Sequence, residues 1–208
     1  MFEDDYTLKI KTYMKHVENK IKALNIDDKK IKALKKFFGI SARLLEFISE
    51  VIKKNSHNKI EQLNLNKEEL DEIIQALKKL EDENGETGGN KTTLLVSLIK
   101  KSITALEDYE DNISKDISNE KRYIKLSESL QEIANILKIA EKTIDDIKTL
   151  WDIFKILSKL IYALHPALLH LETISSGLIN KINREFGEFD KFLETQSVRI
   201  VPAIHMRH

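Results

Sequence analysis

The clearest chemical motif is the segment GETGGNKT at positions 85–92, which departs by one residue from the phosphate-binding loop G-x-x-x-x-G-K-[ST]. In that loop the backbone must approach phosphate closely, and Asn90 replaces the glycine that permits this approach. The segment also follows an acidic helical pattern, whereas the nucleotide loop follows a parallel strand. We therefore expect a flexible linker, with Asn90 capping the next helix, and no bound nucleotide.

A second candidate for chemistry is the pair Arg199 and His205 near the carboxyl terminus. Its R-x5-H spacing resembles the catalytic signature of the HEPN ribonucleases, an all-helical family in which such a pair helps to cleave RNA. The resemblance covers those two positions and implies a helical ribonuclease as one alternative function. In that family the motif lies on a helix, whereas Pro202 interrupts it here, so residues 198–208 are predicted to form a flexible tail.

The remaining polar residues do not form a recognisable catalytic or metal-binding pattern. The histidine pairs His165/His170 and His205/His208 lack a carboxylate at the helical spacing of di-iron sites, and the chain has no cysteine. The 34 acidic residues contain no pair that spacing alone singles out as catalytic. We therefore predict no metal and no cofactor, and we favour a non-enzymatic protein.

A cluster of lysines beside Phe37 and Phe38 is the strongest candidate for binding an anion or a partner. Such a cluster can bind anionic lipid or nucleic-acid phosphates. Because residues 1–40 are net positive and residues 61–86 net negative, the two segments could instead face each other within the fold or across a dimer. The cluster consists of Lys29, Lys30, Lys32, Lys35 and Lys36.

The overall composition is typical of a soluble globular protein in which neither positive nor negative charge dominates. Its 208 residues are 41% hydrophobic, and 34 basic residues balance 34 acidic ones. The amino terminus is acidic and lacks an apolar signal region, so cytoplasmic synthesis without a signal peptide is predicted, and later export stays open. The longest uncharged run, 160–171, is about 12 residues, shorter than the roughly 18 that span a bilayer.

The apolar band 150–171 has two interpretations. Its position around Pro166 resembles the hydrophobic hairpin of helical pore-forming toxins and implies a protein that acts at a membrane surface. Lys155 and Lys159 would then enter the bilayer at a cost of about 2.5 to 3.5 kcal/mol per central charge. A pair of core helices is the favoured interpretation.

Apolar spacings of three and four along the chain predict an all-α bundle of six or seven helices with long antiparallel members. Glycine and serine divide residues 27–53 into two short helices, one ending at Gly39 and one capped by Ser41. Asn66 and Glu69 form a capping box for a helix with an acidic exposed side. A heptad stripe predicts one helix over 119–164 with Trp151 buried, and Pro166 kinks it or begins the next helix.

We interpret residues 1–197 as one helical domain, in which 1–58 could be an amino-terminal subdomain. The function predicted is that of an adaptor, scaffold or effector-like module that binds another protein through a helical face or groove. Homo-oligomers are compatible with this interpretation. The alternatives are the HEPN-like ribonuclease and the membrane-surface protein, which would have nucleic acid or an anionic membrane as the partner.

Overall fold

The computed structural model describes residues 2–57, 63–85, 90–115 and 119–197, and within these ranges it contains helices and no strand. The all-α bundle with long antiparallel members is confirmed. The described ranges contain seven helices: α1 (Phe2–Lys22), α2 (Asp27–Lys54), α3 (Lys67–Gly85), α4 (Asn90–Ser114), α5 (Asn119–Thr143), α6 (Ile147–Ile174) and α7 (Leu178–Ser197).

Five of the helices form a closed ring in which each packs against the next, in the order α2, α5, α4, α3 and α6, with α6 returning to α2. Helices α1 and α7 pack on the outside of α2 and α6. Every helix buries one apolar stripe, and these stripes join into a single core. The sides that face away from the core are rich in charged residues, as expected for amphipathic helices.

The contact between α2 and α5 is close because small side chains line it. Ser49 and Ser127 exchange hydrogen bonds, each hydroxyl donating to the other residue's backbone carbonyl over 2.7 and 2.9 Å. Further along the contact, a Cβ atom at Gly39 would lie 2.5 Å from a carboxylate oxygen of Glu141. The end of the Glu141 side chain therefore packs against the bare backbone at Gly39.

The predicted break between Gly39 and Ser41 was wrong. Helix α2 runs unbroken from residue 27 to residue 54, with both residues inside it and buried. Its N-cap is Ile26, which makes no side-chain capping hydrogen bond. Asp27 instead lies in the first turn, where its charge favours the positive end of the helix dipole.

The single helix predicted over 119–164 is also wrong, because the chain turns at residues 144–146. Asp146 caps α6 by accepting hydrogen bonds from the backbone amide and the hydroxyl of Thr149, over 3.1 and 2.6 Å. These bonds lower the pKa of the Asp146 carboxyl. Apolar residues continue on both sides of the turn, and for that reason the heptad stripe did not reveal it.

The next boundary lies at residues 175–177 and not at Pro166, which is inside α6. Gly177 has a φ of +100°, a conformation that side chains with a Cβ rarely adopt. Glu172 stabilises this turn because its two carboxylate oxygens accept hydrogen bonds from the amides of Gly177 and Ile179, over 2.9 and 2.8 Å. A carboxylate from the end of α6 thus caps the start of α7.

Two other predictions about local structure were tested. The Asn66 cap is confirmed, since its side-chain oxygen accepts hydrogen bonds from the amides of Glu68 and Glu69 over 2.8 and 3.3 Å. Trp151, predicted to be buried, is only half-buried. Its ring packs edge-on against Phe154, and the ammonium of Lys22 lies 5.8 Å from its centroid.

Candidate functional site

A surface cleft of about 520 Å³ lies between α3 and α6. Its apolar lining comes from Ala76, Leu80 and Ile156, of which the last two are almost fully buried. Charged and polar residues form the two rims: Asp71, Glu72, Gln75, Lys79 and Glu83 on α3, and Asp152, Lys155 and Lys159 on α6.

A second cleft of about 460 Å³ extends the first one towards α1. The two clefts share Glu72 and Lys159 in their linings, so they are neighbours, and together they are named here the α1/α3/α6 groove. The second cleft adds Lys11, Thr12, Lys15, Glu69 and Tyr162.

Helical spacing explains why these side chains share one groove. On α3 the positions 71, 75, 79 and 83 are four residues apart, so they follow one another along one side of the helix. The pairs Lys11/Lys15 and Lys155/Lys159 have the same spacing on α1 and α6. Because α3 packs directly on α6 and α1 packs on α6 as well, these three helix sides border the same space.

Some of the groove charges are already neutralised within the chain. Lys148 forms ion pairs with Glu83 at 3.3 Å and with Asp152 at 3.1 Å, and it closes one end of the groove. Among the other charged groups of the groove, Asp71 contacts a second carboxyl, that of Glu110, and the rest make no ion pair within 4 Å to any residue that the structure describes. This unpaired set comprises Lys11, Lys15, Lys79, Lys155, Lys159, Glu69 and Glu72.

Asp71 also belongs to a carboxyl pair between α3 and α4. Its side chain shares a hydrogen bond with Glu110, and this bond, partial burial and the nearby charge of Asp71 raise the pKa of Glu110 to about 7. One carboxyl oxygen of Glu110 is buried without a hydrogen-bond partner among the described residues. Near neutral pH the pair therefore holds a proton for part of the time.

Next to the groove, His165 is buried in α6. Its pKa is lowered chiefly by desolvation, and the charge of Lys11 lowers it further while that of Glu69 raises it. The imidazole of His165 is therefore mostly neutral near pH 7. Within the described ranges, no three His, Asp or Glu side chains converge in a way that could hold a metal ion.

Three of the five lysines in the predicted cluster contact other parts of the same chain. Lys29 donates a hydrogen bond to the backbone carbonyl of Gln196 at 3.3 Å, and Lys36 lies over the ring of Phe192 at 5.9 Å. Both of these lysines contact α7, whereas Lys35 forms an ion pair with Asp145 in the turn before α6. The other two members of the cluster, Lys30 and Lys32, have no ion-pair partner within the described ranges.

The other predicted site residues lie outside the part of the chain that the structure describes. This applies to Arg199 and His205, to the tail 198–208, and to positions 86–89 of the segment that resembles a phosphate loop. Gly85 ends α3 and Asn90 begins α4 on either side of that segment. Among the helices in the described ranges, none combines the length and apolar character needed to cross a bilayer.

A third cavity lies among α1, α2, α6 and α7 and is lined almost entirely by apolar side chains. Its volume is about 30 Å³, close to the space that one water molecule occupies in the liquid. Ser41 is the one polar residue in its lining, and the Ser41 hydroxyl has no hydrogen-bond partner among the described residues.

The fold and the groove define an all-α helical bundle with one long charged surface groove. Comparisons with protein-family models, with curated proteins and with solved structures found no match to this chain. Its function must therefore be inferred from its own residues.

The sequence indicated the charged residues on each side of the groove, but it did not predict that the two sides lie next to each other. The acidic exposed side of 67–83 was predicted, and Lys155 and Lys159 were noted as charges within an apolar band. Lys11 and Lys15 were missed, although their spacing of four places both on the polar side of α1. No sequence pattern showed that α3 packs on α6.

Proposed function

We propose that this chain is a non-enzymatic helical-bundle protein that binds another protein through the α1/α3/α6 groove. The single observation that supports the proposal is a long groove whose charged side chains lack ion-pair partners among the described residues, over an apolar lining. Lys159 and Glu72 line both clefts, and no ion pair joins them.

The size and lining of the groove suit a protein segment. The two neighbouring clefts of about 520 and 460 Å³ offer polar contact along both rims and apolar contact at Ala76, which is partly exposed between them. A helix that enters a groove gains affinity from apolar contacts and specificity from the charges beside them.

Site-specific photo-cross-linking in the native host tests this proposal. A benzophenone amino acid would replace Gln75, which is exposed in the groove, or Lys121, which is exposed on α5 away from it. We expect discrete protein adducts from position 75 and none from position 121. Adducts of nucleic acid or lipid at position 75, or the same protein adducts at both positions, would contradict the proposal.

A further inference from the structure

We propose that the partner segment in the groove is an amphipathic helix that presents carboxylates to the lysines of α1 and α6. This inference rests on the proposed function, because it concerns the occupant of the same groove. Three observations support it: the lysines that lack ion-pair partners, the apolar lining beside them and the acidic rim on α3.

The unpaired charges on the α1 and α6 side of the groove are positive. The carboxylate on this side, Asp152, forms an ion pair with Lys148. Four lysines on this side have no ion-pair partner in the described ranges, namely Lys11 and Lys15 on α1 and Lys155 and Lys159 on α6. A partner segment that approaches this side makes the most favourable electrostatic contacts if it carries carboxylates.

The spacing of the lysines suggests a helical occupant. Lys155 and Lys159 are separated by one helical turn, as are Lys11 and Lys15, so the ammonium groups repeat about every 6 Å along the groove. Glutamates four residues apart on a partner helix repeat at the same distance. Ala76, which is partly exposed between the rims, and the aliphatic stems of the lysines then contact the apolar side of that helix.

The opposite rim argues against a uniform polyanion such as nucleic acid. Glu69 and Glu72 have no ion-pair partner in the described ranges, and Asp71 and Glu83 lie along the same helix. A phosphate backbone would bring negative charge close to all four of these carboxyls, and like charges destabilise an interface. A peptide helix avoids this repulsion because it can carry carboxylates on one edge and neutral or basic residues on the other.

The experiment measures the binding of synthetic helical peptides to the full chain by fluorescence anisotropy at low salt. Three peptides share one apolar side and one lysine-bearing edge, and their other edge carries glutamate, glutamine or lysine. A single-stranded DNA of equal negative charge is the fourth probe. The protein variants are Lys155→Gln/Lys159→Gln in the groove and Lys121→Gln/Lys142→Gln on α5 as the matched control.

We expect the glutamate peptide to bind most tightly to the unmodified chain and to the control variant. Loss of two surface ion pairs should weaken its binding to the groove variant by a factor of about five, while the glutamine peptide is unaffected. Equal binding of all three peptides would overturn this inference, as would tighter binding of the lysine peptide or DNA, or no peptide binding. Cross-linking from position 75 tests the proposed function separately, so the failures of the two proposals can be distinguished.

Discussion

His165 donates a hydrogen bond from Nδ1 to the backbone carbonyl of Tyr162, the residue four positions before Pro166. In an α-helix that carbonyl accepts from the amide of the fourth following residue, and proline has no amide hydrogen. The imidazole therefore replaces the donor that Pro166 removes. This replacement helps to explain how α6 continues through Pro166. The sequence alone predicts a kink or the start of a new helix at this residue.

The first prediction concerns this replacement and uses a double-mutant cycle. His165→Leu should cost about 1 to 3 kcal/mol of unfolding free energy, because it leaves a buried carbonyl without a donor. In a Pro166→Ala background the amide of Ala restores the donor, so the same change should cost clearly less. Urea denaturation of the four proteins measures the coupling. Equal costs in both backgrounds would show that His165 does not compensate for the proline.

The second prediction compares two buried serines of α2. Ser49 exchanges hydrogen bonds with Ser127, whereas the hydroxyl of Ser41 has no partner among the described residues. Ser49→Ala should cost about 0.5 to 1.5 kcal/mol, and Ser41→Ala should be neutral or stabilising by up to about 1 kcal/mol. Thermal and urea unfolding test both variants. A larger loss from Ser41→Ala than from Ser49→Ala would contradict the assignment of these hydrogen bonds.

The third prediction compares two glycines. Gly177→Ala should destabilise the chain by about 1 to 2 kcal/mol, because φ at this position is +100°. Gly187 lies inside α7, and a Cβ there would meet no atom within 4 Å, so Gly187→Ala should stabilise the chain by about 0.5 to 1 kcal/mol. Opposite signs in urea unfolding are the expected result. Two variants of equal stability would place the α6–α7 boundary elsewhere.

The fourth prediction concerns pH. The pKa of Glu110 in the folded chain is about 7, above its ordinary value, so the folded state holds this proton more tightly than the unfolded state. The resulting contribution to stability is complete below about pH 4.5 and is lost as the pH rises through 7. Glu110→Gln, which resembles the protonated form, should therefore reduce the decline in Tm between about pH 5 and pH 8.

Glu50→Gln is the matched control for this experiment, because Glu50 is an exposed glutamate on α2, far from the Asp71 pair. Its melting temperatures should follow those of the unmodified chain at each pH. If Glu110→Gln also followed them, the two carboxyls would not share a proton in the folded state.

Periodicity could predict the helices because each amphipathic stripe is a local property of the sequence. The way in which helices join depends on contacts between distant residues. Gly39 was interpreted as a helix end, but it serves the close approach of Glu141 on α5. The turn before Ile147 was hidden because apolar residues keep their spacing across it, although Asp146 and Thr149 have the spacing of an N-cap and its partner.

The groove was less predictable than the helices for the same reason. Its charged residues look like ordinary solvated helix surfaces when each segment is considered alone. They form one groove only because α3 packs on α6 within the ring and α1 lies beside them. The lysine cluster of α2 was more conspicuous in the sequence, yet three of its members contact other parts of the same chain.

Chemical-shift mapping would test the groove most directly. The ¹⁵N-labelled chain would be titrated with the protein captured by cross-linking from position 75. The account predicts that the amide shifts concentrate on the groove-lining turns of α1, α3 and α6, including Gln75 and Lys159, and leave α5 unchanged. Shifts confined to the lysine cluster of α2 or to α5, with the groove amides unmoved, would contradict it.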